Sequence, residues 1–248
     1  MSYCLSIKLN TGMVFASDSR TNAGVDHISS YSKMHVFDGF NDRLFVLLGV
    51  GNLGTSQAVL NFLLRDLENP QAERSLRKVE YMFDAAQYVG DLSCQVQERH
   101  GNATSQSRVN LEASFILGGQ IQGKAHETYL IYPEGNYISA SATQPYLQIG
   151  ETKYGKPILD RIITPQTSLE EAARCSLVSL DSTMRSNLSV GPPIELCIYQ
   201  EGSLAIAHYR SLDFDSPFYQ ALQASWKDGL KKAFDGLPRF DWESGNWC

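Results

Sequence analysis

Cysteine is scarce and scattered. The chain has five, Cys4, Cys94, Cys175, Cys197 and Cys248, an odd number with no CxxC pair and no Cys/His grouping. That spacing supports neither a disulfide framework nor a zinc site. The five histidines are isolated too, so no metal is expected. Long apolar runs are missing. Stretches such as "LFVLLGVG" are too short to span a bilayer, and the start of the chain lacks the basic lead and apolar core of a secretory signal. The expected location is the cytoplasm, with no membrane partner. Positive charge is not in excess: 21 Lys and Arg stand against 27 Asp and Glu, for a net charge of −6. With no basic stripe, nucleic acid is not an expected partner either. Internal repeats, low-complexity segments and linkers are also missing.

What is present is enough for one substantial core, since 43% of the 248 residues are hydrophobic. In "CLSIKL", Leu5, Ile7 and Leu9 alternate with Cys4, Ser6 and Lys8. "NTG" at 10–12 then supplies turn chemistry, and "MVFASDS" continues as a second strand. The two form a hairpin that begins almost at the first residue. "RLFVLLGVG" reads as a buried strand. The three- and four-residue spacing of Val59, Leu60, Leu63, Leu64 and Leu67 then predicts a helix, with Pro70 just past its end. "SLRKVEYMFDAAQYVGDLSCQVQERHG" reads as a longer helix closed by Gly101. "ASFILGGQ", "ETYLIYP", "YISASA" and "YLQIG" return to strands. Ser168 and Glu171 form a capping-box pattern that opens a third helix. "IELCIYQ" and "LAIAHYR" close as a hairpin around Glu201-Gly202, and an amphipathic helix follows in the tail. Strand runs and helix runs are segregated, so the expected fold is α+β, with two antiparallel sheets covered by helices. The expected division is a domain over 1–211 and a helical extension over 212–248.

The chemistry lies in the first 33 residues. If Met1 is removed, as a small second residue permits, Ser2 carries a hydroxyl and a free α-amine together. A hydroxyl needs a base, and an α-amine with a pKa of roughly 7.7–8.0 can act as one near neutrality. A nearby lysine lowers that amine's pKa by like-charge repulsion, and an aspartate holds the lysine in place. Asp18 ends the strand that pairs with the one starting at Ser2. Lys33 lies on the next segment, "SSYSKMHVF", which can pair alongside. Hydroxyl, amine, carboxylate and ammonium thus reach one sheet end. With no propeptide ahead of Ser2, the mature chain is expected to begin Ser-Tyr-Cys.

"FASDSRTNAG", a lysine a short distance on, and the glycine-rich strand end "LLGVGNLGTSQ" together resemble the proteasome β-subunits of the N-terminal-nucleophile hydrolases. "SDSRTNAGVDHISSYSKMHVF" is most similar to the bacterial branch called Anbu, the ancestral β-subunit. The resemblance runs from Ser2 to about 210. It implies a four-layer αββα sandwich, with Ser2 as nucleophile, its amine as general base, and Asp18 and Lys33 as the supporting pair. It also implies that Arg20 braces the same loop and that Gly49 offers a backbone N–H to the oxyanion. In "MRSNLSVG", Ser189 matches a supporting serine, whereas Ser186 stands where the family has an aspartate. Glu151, in "GET", stands where the family has another serine. The Asp18-to-Lys33 spacing is one residue shorter than is typical, and the nucleophile is Ser rather than Thr.

The expected function is hydrolysis of amide bonds in peptides through an acyl-enzyme on Ser2, within a ring or helical homo-oligomer. Two rival expectations stand beside it. The nucleophile could cleave small or isopeptide amides, or the chain could be a non-catalytic assembly scaffold, which Ser186 and Glu151 favour. The aromatic-rich tail, 212–248, is expected to pack on its own subunit or to brace a neighbouring one.

Overall fold

The computed structural model describes residues 2–22, 28–103 and 110–244. Residues up to Asp213 form one compact unit and those from Phe214 a second, smaller one. In the first unit, β1 (Tyr3–Leu9) and β2 (Gly12–Asp18) make the expected hairpin. β10 (Tyr146–Gly150) joins β1, while β11 (Ile194–Gln200) and β12 (Ile206–Leu212) extend the sheet beyond β2, in the order β10-β1-β2-β11-β12. A second five-stranded sheet has the order β5-β6-β7-β8-β9. Its strands are Met34–Phe37, Arg43–Gly51, Ala113–Ile121, Glu127–Ile131 and Tyr137–Ser139. Every pairing in both sheets is antiparallel. The short strands β3 (Arg20–Asn22) and β4 (Ile28–Ser30) pair with each other.

The two sheets share an apolar core. Cys4, Met13, Phe15, Leu147, Ile149 and Cys197 of the first sheet meet Leu44, Val46, Leu48 and Ile116 of the second. In β6 the intervening residues Phe45 and Leu47 turn the other way. They join a separate core with Val59 and Leu63 of helix α1 (Leu53–Glu68) and Met82, Val89 and Val96 of α2 (Met82–Ala103). "RLFVLLGVG" is apolar throughout because both its faces are covered. The alternation in β1 has a related meaning: it separates two buried faces, since Tyr3 through Ile7 are all buried. Tyr3 reaches Ser179 of α4 (Leu169–Ser186), hydroxyl to hydroxyl at 2.8 Å, while Ser6 crosses to Thr128 of β8 at 2.8 Å. α4 packs against β1, β2 and β11, and its capping box is formed, with Ser168 accepting from the Glu171 N–H.

Three readings differ from the observed elements. The second helix starts at Met82, seven residues later than "SLRKVEY" suggests. The carbonyls of Leu76 and Val79 are taken by the Arg43 guanidinium, at 3.3 and 2.7 Å, instead of by helical N–H groups. The same helix runs through Gly101 to Ala103 rather than closing at the glycine. A short helix α3 (Lys156–Ile162), opened by Pro157, escapes notice because seven residues carry too little periodicity. In the second unit, α5 (Pro217–Asp235) is followed by a single 3-10 turn, Asp241–Ser244. No described helix is long and apolar enough to cross a membrane.

The spacing of the sheets depends on Gly118 of β7. A Cβ there would lie 2.5 Å from Cζ of Phe15, a ring with no exposed surface. Gly118→Ala should cost about 1–3 kcal/mol by overpacking. Combining it with Phe15→Leu should destabilise by less than the sum of the two single changes, measured by denaturant midpoints. Strict additivity would show that this contact does not set the packing.

Candidate active site

The candidate site begins with the register of β1 and β2. Cys4 pairs with Ser17, so Asp18 lies level with Tyr3, next to Ser2. The Tyr3 N–H donates to Asp18 Oδ1 at 3.0 Å, and the Gly191 N–H donates to Oδ2 at 3.2 Å. On its other side Ser2 is held by β10. Its carbonyl accepts the Glu151 N–H at 2.8 Å. Gly150, at φ +86°, permits that approach, because a Cβ would sit 2.0 Å from the Ser2 oxygen.

Lys33 does not pair alongside the hairpin. It lies in the coil between β4 and β5, where the chain passes to the other sheet, and β5 pairs with β6. Its Nζ donates to Asp18 Oδ1 at 2.9 Å, to the Asp18 carbonyl at 3.2 Å and to the Arg20 carbonyl at 2.7 Å. The three N–H donors of the ammonium are thereby used. Asp18 has no exposed surface and Lys33 has 8%. Burial pushes the Asp18 carboxyl above its ordinary value, while the Lys33 charge and the two backbone N–H groups pull against it. Burial likewise pushes the Cys4 thiol well up, and the Asp18 charge adds to the effect. Cys4 therefore stays a protonated packing residue.

Ser2, Lys33 and Gly49 line one cleft of about 240 Å³, together with Thr21, Tyr31, His35, Gln57 and Phe115. The Gly49 N–H donates to the Lys33 carbonyl at 3.0 Å. Burial lowers the pKa of His35, and the charge of Glu195 opposes that shift. Arg20, Glu151, Ser186 and Ser189 do not line the cleft. Arg20 Nη1 donates to the Leu188 carbonyl at 2.7 Å, and the guanidinium lies where a side chain on Gly191 would be. Glu151 is buried and accepts from Asn187 Nδ2 at 2.9 Å, with Lys153 Nζ at 3.5 Å. The Ser189 N–H donates to Asn187 Oδ1 at 2.9 Å. Ser186 is the exposed last residue of α4. These groups thus gather around segment 187–191, which in turn reaches Asp18 through Gly191.

Sequence reasoning missed the backbone donors of Tyr3 and Gly191, which carry no side-chain signal. It also missed Tyr31, His35 and Asn187, which stand beside recognised positions. Among the described residues, no group of three or more His, Cys, Asp or Glu side chains is arranged to hold a metal ion.

Removing Lys33 would leave the Asp18 carboxylate buried without its cation. Lys33→Ala should therefore cost about 3–5 kcal/mol near neutral pH. The variant raises the folded-state pKa of Asp18 further above the unfolded value, so the folded protein prefers the neutral acid. The deficit should then shrink as pH falls toward 4. Denaturant midpoints at pH 7 and pH 4.5 check this, and an equal deficit at both would contradict it.

No family model matches the chain, and no curated protein matches it. Solved structures do. The chain is similar to Anbu (ancestral beta-subunit) from Yersinia bercovieri at 40% identity and a TM-score of 0.90, over 96% of this chain and 98% of that one. It is similar to the Anbu complex of Pseudomonas aeruginosa, solved as a helical assembly, at 44% identity and a TM-score of 0.91, over 96% and 98%. Anbu from Hyphomicrobium sp. strain MC1 matches at 40% identity and a TM-score of 0.86, over 96% and 99%. With that identity over nearly the whole of both chains, this protein belongs to the Anbu, or ancestral β-subunit, family.

Proposed function

We propose that the protein hydrolyses amide bonds in peptides through an acyl-enzyme on Ser2, as an N-terminal-nucleophile hydrolase of the four-layer αββα type. The observation that carries this reading is the buried Asp18–Lys33 pair, whose lysine opens into the same cleft as Ser2. Loss of Met1 gives Ser2 a free α-amine. That amine takes the Ser2 Oγ proton as Oγ attacks the substrate carbonyl. The Lys33 ammonium, fixed by three acceptors, favours the unprotonated amine by like-charge repulsion. Collapse of the tetrahedral intermediate breaks the C–N bond, and the protonated amine returns its proton to the leaving nitrogen. Water then enters with the amine again as base, which releases the acid and regenerates Ser2. No step calls for a metal or organic cofactor.

Gly49 is the proposed oxyanion donor, a contribution of ~2.7–4 kcal/mol where such a donor is free. Its N–H already donates to the Lys33 carbonyl, so it would have to serve both acceptors. This contact adds to Ser186 and Glu151, which stand at the family's aspartate and serine positions, in favouring the scaffold reading. Arg20, Glu151 and Ser189 act in the proposal by holding segment 187–191 against Asp18.

The protein is proposed to work as a homo-oligomer in the cytoplasm, with the tail bracing a neighbouring chain. The Pseudomonas relative forms a helical assembly. The tail here carries Phe218, Phe234, Phe240 and Trp242, each more than half exposed on the single chain. Aromatics of this kind are typical interface anchors. Trp247 lies outside the described residues.

Two outcomes are expected. Intact mass and N-terminal sequencing should give a mature chain beginning Ser-Tyr-Cys, and an acylating β-lactone should add one adduct, on Ser2, in the wild type but not in Ser2→Ala. Retained Met1 would remove the base and defeat the mechanism, while an unlabelled mature protein would favour the scaffold. Light scattering should find a large oligomer for the full chain and a smaller species for a chain ending at Ser211. An oligomer unchanged by truncation would remove the tail's role.

A further inference from the structure

Close to the segments that carry the Asp18–Lys33 pair lies a further buried carboxylate. Glu195 sits in β11, where its neighbours Ile194 and Leu196 are apolar, and is itself only 8% exposed. Its register partners are Ser17 of β2 and Ser211 of β12. Its carboxylate accepts from hydroxyls. Ser32 Oγ lies 2.9 and 2.8 Å from its two oxygens, and the Tyr209 hydroxyl lies 2.5 Å from Oε1. Ser19 Oγ is 3.3 Å and Ser17 Oγ 3.5 Å from Oε2. Among the described residues no lysine or arginine forms an ion pair with it.

The positions of these serines are informative. Ser17 and Ser19 flank Asp18, and Ser32 directly precedes Lys33. One carboxylate is thus tied to the chain on both sides of Asp18 and immediately before Lys33. The two members of the pair come from separate segments, the end of β2 and the coil leading into β5. The β3–β4 ladder that joins these segments pairs Arg20 with Ser30 and continues to a Tyr31 N–H bond with the Ser19 carbonyl at 2.9 Å, and it stops short of Lys33 itself. Ser32 also forms part of the cleft wall, where its Oγ accepts the Met34 N–H at 3.3 Å and lies 2.8 Å from the Met34 carbonyl oxygen. A buried carboxylate with no cation is costly to keep, and an apolar residue would pack as well.

We propose that Glu195 is a positioning residue that, through Ser32 and Ser19, holds the segment bearing Lys33 against Asp18. The proposal rests on the reading of Ser2 as the nucleophile. Glu195 also bears on the site by its charge. Its charge acts on Cys4 on β1, His35 on β5 and Tyr209 on β12, and its hydrogen bonds reach Ser19 and Ser32, the neighbours of Asp18 on β2 and Lys33 in the coil. A negative charge in that setting stabilises a protonated amine at Ser2, and a protonated His35, so removing it should lower the affinity of both for protons.

The test is the rate of Ser2 acylation by a β-lactone probe, measured against pH and probe concentration. Glu195→Gln should lower the maximal acylation rate at least tenfold with little change in the half-saturating concentration. It should also move the acid limb of the profile to lower pH. Ser32→Ala should lower the maximal rate with the limb in place, because the charge remains. A wild-type rate and limb in Glu195→Gln would overturn the proposal, as would a loss equal at every pH that merely tracks a lowered Tm. A crystal structure of Glu195→Ala gives an independent reading, with Lys33 Nζ expected to leave Asp18 Oδ1. If the wild type fails to label, the nucleophile reading falls. The positioning role is then decided by that structure alone, and an intact Lys33–Asp18 contact would overturn it.

Discussion

A single carboxylate, taken wholly out of water, organises the cleft end of this molecule. Asp18 must find partners, because a buried anion without them is not tolerated. It finds them on three segments distant in sequence: the Tyr3 N–H on β1, the Lys33 ammonium in the coil before β5, and the Gly191 N–H ahead of β11. The first of these fixes the residue next to Ser2. The second brings a cation to the cleft. The third anchors segment 187–191, around which Arg20 and Glu151 gather. Satisfying one buried group thereby assembles the site.

Such a pair is a poor source of stability, since the cost of desolvating two charges rivals their attraction. Its value here is specificity of arrangement. Lys33 meets three acceptors, two of them backbone carbonyls, so the ammonium has one position rather than several. A preorganised charge does not have to reorient during reaction, which is the usual source of electrostatic catalysis. The serine hydroxyls that face Glu195 extend the same logic one layer further from the cleft.

The sequence discloses the strands and helices well where periodicity is long or both ends are marked. The β1–β2 hairpin, α1 and the capping box of α4 are of this kind. It discloses less where a tertiary contact overrides local pattern. Residues 75–81 read as helix, yet Arg43 from a distant strand takes their carbonyls. Ser2, Asp18 and Lys33 are legible because their proposed chemistry depends on side-chain identity, and the proximity of Ser2 and Asp18 follows from a short hairpin. The route of Lys33 to Asp18 is not, since a coil crossing between sheets leaves no periodic trace. Backbone donors are wholly hidden from sequence, and Glu195 is disclosed only by being the lone charge in an apolar strand.

The location of the cleft follows from how the sheets are built. Both faces of β6 are buried, with Leu44, Val46 and Leu48 toward the first sheet and Phe45 and Leu47 toward the helices. Gly49 follows on the helix-facing side of that alternation. There the missing side chain leaves room beside Phe115, since a Cβ would lie 3.2 Å from its ring. The space beyond is lined by Leu53, Gln57 and Leu60 of α1, by Tyr31 of the crossing segment, by His35 of β5 and by Ser2. A strand end, a helix start and a chain crossing meet at this point, each positioned by burial elsewhere in the fold. The groups that line the cleft are therefore carried by elements whose positions are fixed elsewhere, and fixed geometry is what the proposed chemistry would require of them.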